Sequence, residues 1–254
     1  MRSLRNTLAA GLAVLVISAA AAQAPAAYRV PAAAPANIER AVESPARPAE
    51  HRARDADRKP AETLMLLDLA EGERVVELGA FGHYWSHMLV EAVGPSGQVY
   101  MVDMPWTDRF GGEGARAFDA AHDNATYTQA HYNEMQLPAN VDAVMMVQFY
   151  HDLTRDNVDT ADMNRKILAA LKPGGIYLVI DHNAEAGSGW RDASTLHRID
   201  PATIKSEVTA AGFELVEDSS LLANPADDRR ENMRAEGIRG KTDQAVLVFR
   251  KPAR

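Results

Sequence analysis

The stretch Arg74-Val75-Val76-Glu77-Leu78-Gly79-Ala80-Phe81-Gly82 constrains this chain more than any other: an apolar run ends in an acid and opens directly into glycines. Such a segment folds as a buried strand followed by a tight turn. The acid at the strand end can meet a hydroxyl or an ammonium, and Gly79 and Gly82 let backbone approach a ligand with no Cβ between them. After the turn, Trp85, Met88, Leu89 and Ala92 recur at helical spacing, so a helix starting near Tyr84 packs back on the sheet. The strand, turn and helix together make a nucleoside-type ligand the first expectation, although Phe81 and His83 interrupt the glycine pattern.

The rest of the chain repeats the alternation. Gln98 to Val102 is a second strand ending at Asp103, and a poor third strand falls near Thr126 to Ala130. Val141 to Val147 is continuously apolar, as a strand covered on both faces must be. A helix over about 156–171 carries Met163, Ile167 and Leu171 on one stripe. Lys172-Pro173-Gly174-Gly175 stops it before a fifth strand, Ile176 to Ile180, ending at Asp181-His182. Asp200-Pro201 supplies a cap and a first-turn proline for a helix running to Ala211-Gly212. Phe213 to Val216 and Ala245 to Phe249 are closing strands, separated by a polar stretch long enough to be a lid or binding segment. Strands alternating with helices predict crossover units and a mostly parallel sheet.

Ahead of this domain, Arg2 and Arg5 precede the small, apolar run Leu8 to Ala22, the pattern of a secretory signal ending at residue 22. Residues 23–50 are Ala/Pro-rich with few large apolar side chains and are expected to form a flexible tether. Residues 51–254 then form the folded domain, and 46% apolar residues suffice for a full core. The leader implies a periplasmic or secreted location, with no membrane contact beyond the export signal. The absence of cysteine excludes a disulfide framework. A net charge of −8 at pH 7 without a basic stripe argues against nucleic acid as a partner.

Glu77 with its glycine turn, Asp103, and the Leu171-Lys172-Pro173-Gly174-Gly175 turn resemble the framework of class I S-adenosylmethionine-dependent methyltransferases, over Val75 to Phe249. Within that superfamily the chain is most similar to a set of exported bacterial predicted methyltransferases of unknown substrate. The blocks carrying this are Arg58-Lys59-Pro60-Ala61-Glu62-Thr63-Leu64, Tyr150-His151-Asp152-Leu153, Asp181-His182, His197-Arg198-Ile199-Asp200, Asn224-Pro225 with Asp227-Asp228, and Gly240-Lys241-Thr242-Asp243-Gln244. The resemblance implies a Rossmann-like α/β fold: a seven-stranded, mostly parallel sheet with an antiparallel last pair and helices on both faces. It implies S-adenosylmethionine as cofactor, held by Glu77, Gly79, Ala80, Phe81, Gly82, Asp103 and Met104, with Asp103 on the ribose hydroxyls. That set usually carries three glycines where this chain has Phe81 to His83, so the Phe81 ring stands where it can narrow the cofactor pocket.

Ligands of open parallel sheets sit beyond the carboxyl ends of the strands. His151, Asp152 and His182 are therefore the candidate catalytic residues, a histidine serving as base toward a small-molecule acceptor and an aspartate orienting its ring. His197 and Arg198 are candidates for closing over the substrate, with a surface ion pair as the alternative for Arg198. A metal reading of His151, His182 and His197 lacks any close His pair, and no metal is assigned. The alternative function is a non-catalytic protein that binds a nucleoside or metabolite on the same fold, with the cofactor site closed by Phe81.

Overall fold

A computed structural model describes residues 28–253. Seven strands form one sheet: β1 Arg74–Leu78, β2 Gln98–Asp103, β3 Ala125–Gln129, β4 Val141–Val147, β5 Leu171–His182, β6 Glu214–Ser219 and β7 Gln244–Arg250. Their order is β3-β2-β1-β4-β5-β7-β6. The first five run parallel, and β7 enters antiparallel between β5 and β6. This is the predicted sheet with its reversed last pair.

Because successive strand residues point to opposite faces, neighbouring apolar positions feed two separate cores. Val75, Met101, Met145, Leu178 and Val246 face one side. Val76, Val102, Met146, Val179 and Leu247 face the other. The first core is covered by α1 Ala36–Glu43, by α4 Pro60–Met65 and by α5 Ser86–Val93, with the short turns α2 Ala49–Arg52 and α3 Asp55–Arg58 between α1 and α4. α6 Asp108–Ala121 joins the same side through Phe118, whereas α7 Thr160–Ala170 and α9 Pro201–Ala210 cover the opposite core, with the short α8 Ala193–Leu196 ahead of α9. The Asp159 carboxylate accepts from the Asp162 amide to start α7, and Asp200 accepts from Ala202 to start α9. Among the described residues no helix is long and apolar enough to cross a membrane; the expected signal, 1–22, lies outside them.

The tether expected over 23–50 is corrected for its described part. Ile38, Ala41 and Val42 are buried against α5, an i, i+3, i+4 stripe too short to stand out in an Ala/Pro-rich segment. Asn37 donates to the carbonyls of Leu69 and Ala92. Arg47 is fully buried and pairs bidentately with Asp55 at 2.6 and 3.0 Å, while the Tyr84 hydroxyl donates to the same carboxylate. The domain thus begins ahead of residue 51.

The long connection over 220–243 is held down by a second buried pair. Arg198 is completely covered and donates to both Asp227 oxygens at 2.8 and 3.1 Å, and to the carbonyls of Asn183 and Glu231. Arg198 therefore anchors this segment from within. Arg198→Met would leave Asp227 buried without its cation and is expected to cost about 3–5 kcal/mol in urea unfolding. Adding Asp227→Asn should recover part of that loss; no recovery would mean that packing of the arginine stem, not charge pairing, holds the segment.

Candidate active site

The carboxyl ends of β1, β4 and β5 open onto two adjoining cavities. The first, about 240 Å³, is bounded by Glu77, Gly79, the 80–85 loop, His151, Asp152 and Arg58. A second, about 480 Å³, shares Arg58, Gln148 and Arg234 with it and extends to His182 and Gln244.

Gly79 meets the steric demand placed on it. Its φ is +79°, and a Cβ there would lie 2.8 Å from the Phe149 ring. Gly82 does not: a Cβ would meet nothing within 4 Å and would point into open space. Glu77 is buried and accepts from Ser86 Oγ at 2.6 Å. Burial pushes its pKa up to about 8, Ser86 opposes this, and Asp103 adds to it. Near neutrality Glu77 is therefore largely protonated.

Asp103 is fully buried, and neither carboxylate oxygen has a hydrogen-bond partner in the protein. Burial pushes its pKa up to about 7 against the pull of the nearby Ala80 and Phe81 amides and the Tyr127 hydroxyl. These donors lie close without reaching hydrogen-bonding geometry, and a buried carboxylate left so is costly and rare, which leaves this one free to accept donors from outside the chain.

The glycine turn beside it carries an aromatic cluster. The half-buried Phe81 ring packs 6.0 Å from Phe149 and 6.5 Å from Phe110, and Trp106 stacks on Phe149 at 5.7 Å. The Phe81 carbonyl lies so close to Gly111 that a Cβ there would come within 1.9 Å of it, joining the turn to the start of α6. Met104 is buried beneath, its sulfur facing the Tyr132 amide at 3.3 Å. In this closed arrangement the 240 Å³ cavity falls below the roughly 300 Å³ at which ligand pockets begin. The acceptor carboxylate and the glycine turn are of the kind that suits an adenosyl group, and the Phe81 ring lines the cavity beside them.

Opposite this wall stands a network built on Asp181. Its carboxylate is buried, yet it accepts from the His151 amide, from His151 Nδ1 and from the His182 amide, each at 2.7 Å. Burial alone would raise Asp181; the charge and hydrogen bond of His151 outweigh it and hold the pKa below the usual range. For His151, burial is likewise overcome by Asp181 and Asp152, so its pKa stands above the ordinary 6.5. With Nδ1 fixed on Asp181, Nε2 turns toward Asp152 at 3.7 Å.

His197 completes the group. It adopts a left-handed backbone at the end of α8, and its Nδ1 lies 3.3 Å from Asp152. Donor atoms of His151, Asp152 and His197 fall within 4.8 Å of one another, a spacing a metal ion could use. Arg234, however, lies 2.8 Å from His197 Nε2. A guanidinium only donates, so Nε2 accepts and the ring proton sits on Nδ1, facing Asp152. As arranged, both histidines lie at ion-pair distance from Asp152, and a cation would have to displace both that proton and Arg234.

His182 sits apart from this network, its Nδ1 paired with Thr242 Oγ1 at 2.6 Å and its Nε2 unpartnered. Burial drives its pKa down to about 3, so it stays neutral. Tyr150 bonds Glu207 and Asn164, and Trp190 stacks on it, so both close the end of the sheet. Arg198, the other candidate for closing over substrate, is an internal anchor. His83 and His87, four apart in sequence, both pack on Phe118.

Sequence reasoning passed over Gln148. It has a positive φ of 56°, accepts from Arg58 at 2.8 Å and donates to Gln244 at 2.9 Å. A strained non-glycine residue at a cavity wall is a mark of function. Its only sequence signal is a polar residue interrupting the apolar run Val144 to Tyr150.

No protein-family model and no curated protein matches the sequence. Solved structures do. An S-adenosylmethionine-dependent methyltransferase from Mesorhizobium loti superposes with a TM-score of 0.56 at 17% identity, over 78% of this chain and 99% of the other. One from Aquifex aeolicus gives 0.54 at 18%, over 74% and 87%. The cyclase SpnF gives 0.57 at 20%, over 78% and 82%. This chain has their fold.

The buried Asp103 charge should be visible in stability. Its folded pKa is raised, so its destabilising effect grows as pH rises from about 3.8 to about 7 and is complete above that. Asp103→Asn is therefore expected to stabilise the protein by about 2 kcal/mol at pH 8 and by little at pH 4. Equal effects at both pH values would show that the charge is not the cause.

Proposed function

We propose that this protein transfers a methyl group from S-adenosylmethionine to a small-molecule acceptor. The observation that carries this reading is the unpartnered Asp103 carboxylate, buried at the end of β2 beside the Gly79 turn on a methyltransferase fold. Asp103 would accept from the two ribose hydroxyls and Glu77 would meet the amino-acid end. Gly79 and Ala80 would lie beneath the ligand with Met104 at the base, and Gly82 leaves open space beside it. When bound, the cofactor supplies an electrophilic methyl group on a sulfonium.

The protein's own part is alignment and proton removal. Asp181 holds His151 Nδ1, which leaves Nε2 as the lone pair facing the first cavity. His151 Nε2 takes the acceptor's proton, and Asp152 beside it stabilises the imidazolium that results. Because the His151 pKa is raised, turnover should rise with pH through a value above 6.5. His182, neutral and 5.9 Å from the His151 ring, keeps a second positive charge away from that base. The Leu8 to Ala22 leader supports placing this activity in the periplasm or outside the cell, and fractionation of the host cells tests it.

One observation favours a second reading. Asp103 is buried, and the Phe81 ring packs with Phe110 and Phe149 at the glycine turn, as would be expected in a binding protein whose cofactor site had closed for good. The same fold carries a protein described as a cyclase, so the fold alone does not select methyl transfer. Calorimetry with S-adenosylmethionine and its demethylated product decides. Binding of either supports the enzyme; no heat with both supports the closed site.

If Phe81 is a gate, Phe81→Gly should tighten binding of the demethylated product severalfold, whereas Asp103→Ala should weaken it more than tenfold. Looser binding by Phe81→Gly would show that the ring packs on the ligand instead. Once a methyl acceptor is in hand, His151→Gln should lower kcat by about 10²–10⁴ with little change in melting temperature. Full turnover in that variant would remove His151 from the chemistry.

A further inference from the structure

The second cavity, about 480 Å³, is large enough for a small metabolite and has an unusual wall. Arg58 reaches it from the end of α3 and Arg54 from just before that helix, and Arg234 and Arg239 reach it from the segment between β6 and β7. Among the described residues none of these four forms an ion pair. Arg58 donates to the neutral Gln148, and Arg234 lies against the neutral His197. Arg54 and Arg58 both lean on the Tyr84 ring, at 5.5 and 4.5 Å from its centre, which fixes two like charges side by side.

Asp57 is the one carboxylate on this wall, and His182 on its floor is held neutral by burial. Burial and the charge of Arg54 bring even the Arg58 guanidinium down to about 10. In a chain with eight more acidic than basic residues, a hollow with this excess of unpaired guanidinium is not ordinary surface. Planar forks of this kind match phosphate and carboxylate oxygens in pairs.

We propose that Arg54, Arg58, Arg234 and Arg239 bind an oxyanion group, phosphate or clustered carboxylates, on the small molecule that reaches His151. The word acceptor for that molecule rests on the methyl-transfer reading; the anion site itself does not. Both arginines of the second pair follow the Arg198–Asp227 anchor in the chain, so the segment is pinned at its base while its guanidiniums face the hollow. Arg234 also touches His197 and lines the first cavity, so an anion drawn to it lies next to the His151 network.

The test is calorimetry of the whole protein with inorganic pyrophosphate and, separately, with citrate, with and without saturating demethylated cofactor. Binding of at least one anion is expected, weakening as salt is raised. Arg239→Gln, exposed and free of folding risk, should reduce it at least fivefold, and Arg58→Gln with Arg239→Gln at least twentyfold. Arg116→Gln, on the distant α6 and paired with Asp108, should leave it unchanged. Which anion binds more tightly separates phosphate from carboxylate recognition. No binding of either, or equal loss in the Arg116 variant, would overturn the proposal. Competition between anion and demethylated cofactor would also overturn it, by assigning the arginines to the cofactor's own carboxylate. Anion binding in a protein that shows no cofactor binding would leave the arginine site standing and defeat methyl transfer.

Discussion

The site depends on one buried carboxylate. Asp181 ends β5 inside the protein, where an unsatisfied charge would be prohibitive, and is tolerated because three donors from two adjacent chain segments meet on it. Two of those donors are the amide and the ring of His151, so the same contact that satisfies Asp181 also sets the rotation and tautomer of the imidazole. Strand pairing brings the ends of β4 and β5 side by side. From there the position of the His151 imidazole follows with little freedom left.

Asp103 is the counterpart. It occupies the equivalent place on β2, equally buried, but no protein donor reaches it at hydrogen-bonding geometry, and its pKa moves in the opposite direction. One carboxylate is satisfied within the fold and supports it. The other is left unsatisfied and weakens the fold, which is the pattern of a residue kept for binding rather than stability.

Much of this was legible in the sequence because it rests on local chemistry. The unbroken apolar run of β4, the cap and proline opening α9, and the acids ending β1, β2 and β5 all declare themselves within a few residues. Other features depend on pairs remote in the chain. Nothing local distinguishes Arg198 with Asp227 from surface charges, and only their burial together shows that they anchor a loop. Gln148 acquires meaning only through Arg58 and Gln244, and the short α1 stripe only through the α5 groove that receives it. Net charge concealed the most: −8 over the chain says nothing of four cations gathered at one mouth.

The strand order bears on how the molecule assembles. β6 touches the sheet only through β7, and β7 joins the sheet beside β5, far from it in sequence. Like the equally distant pairing of β1 with β4, this closure is non-local and therefore slow to form. The 220–243 segment is strung between β6 and β7, so it takes its place only when that pair docks. A half-folded molecule can therefore own the Rossmann half and its glycine turn while lacking one wall of the mouth, and ligand capture should be confined to chains that have finished.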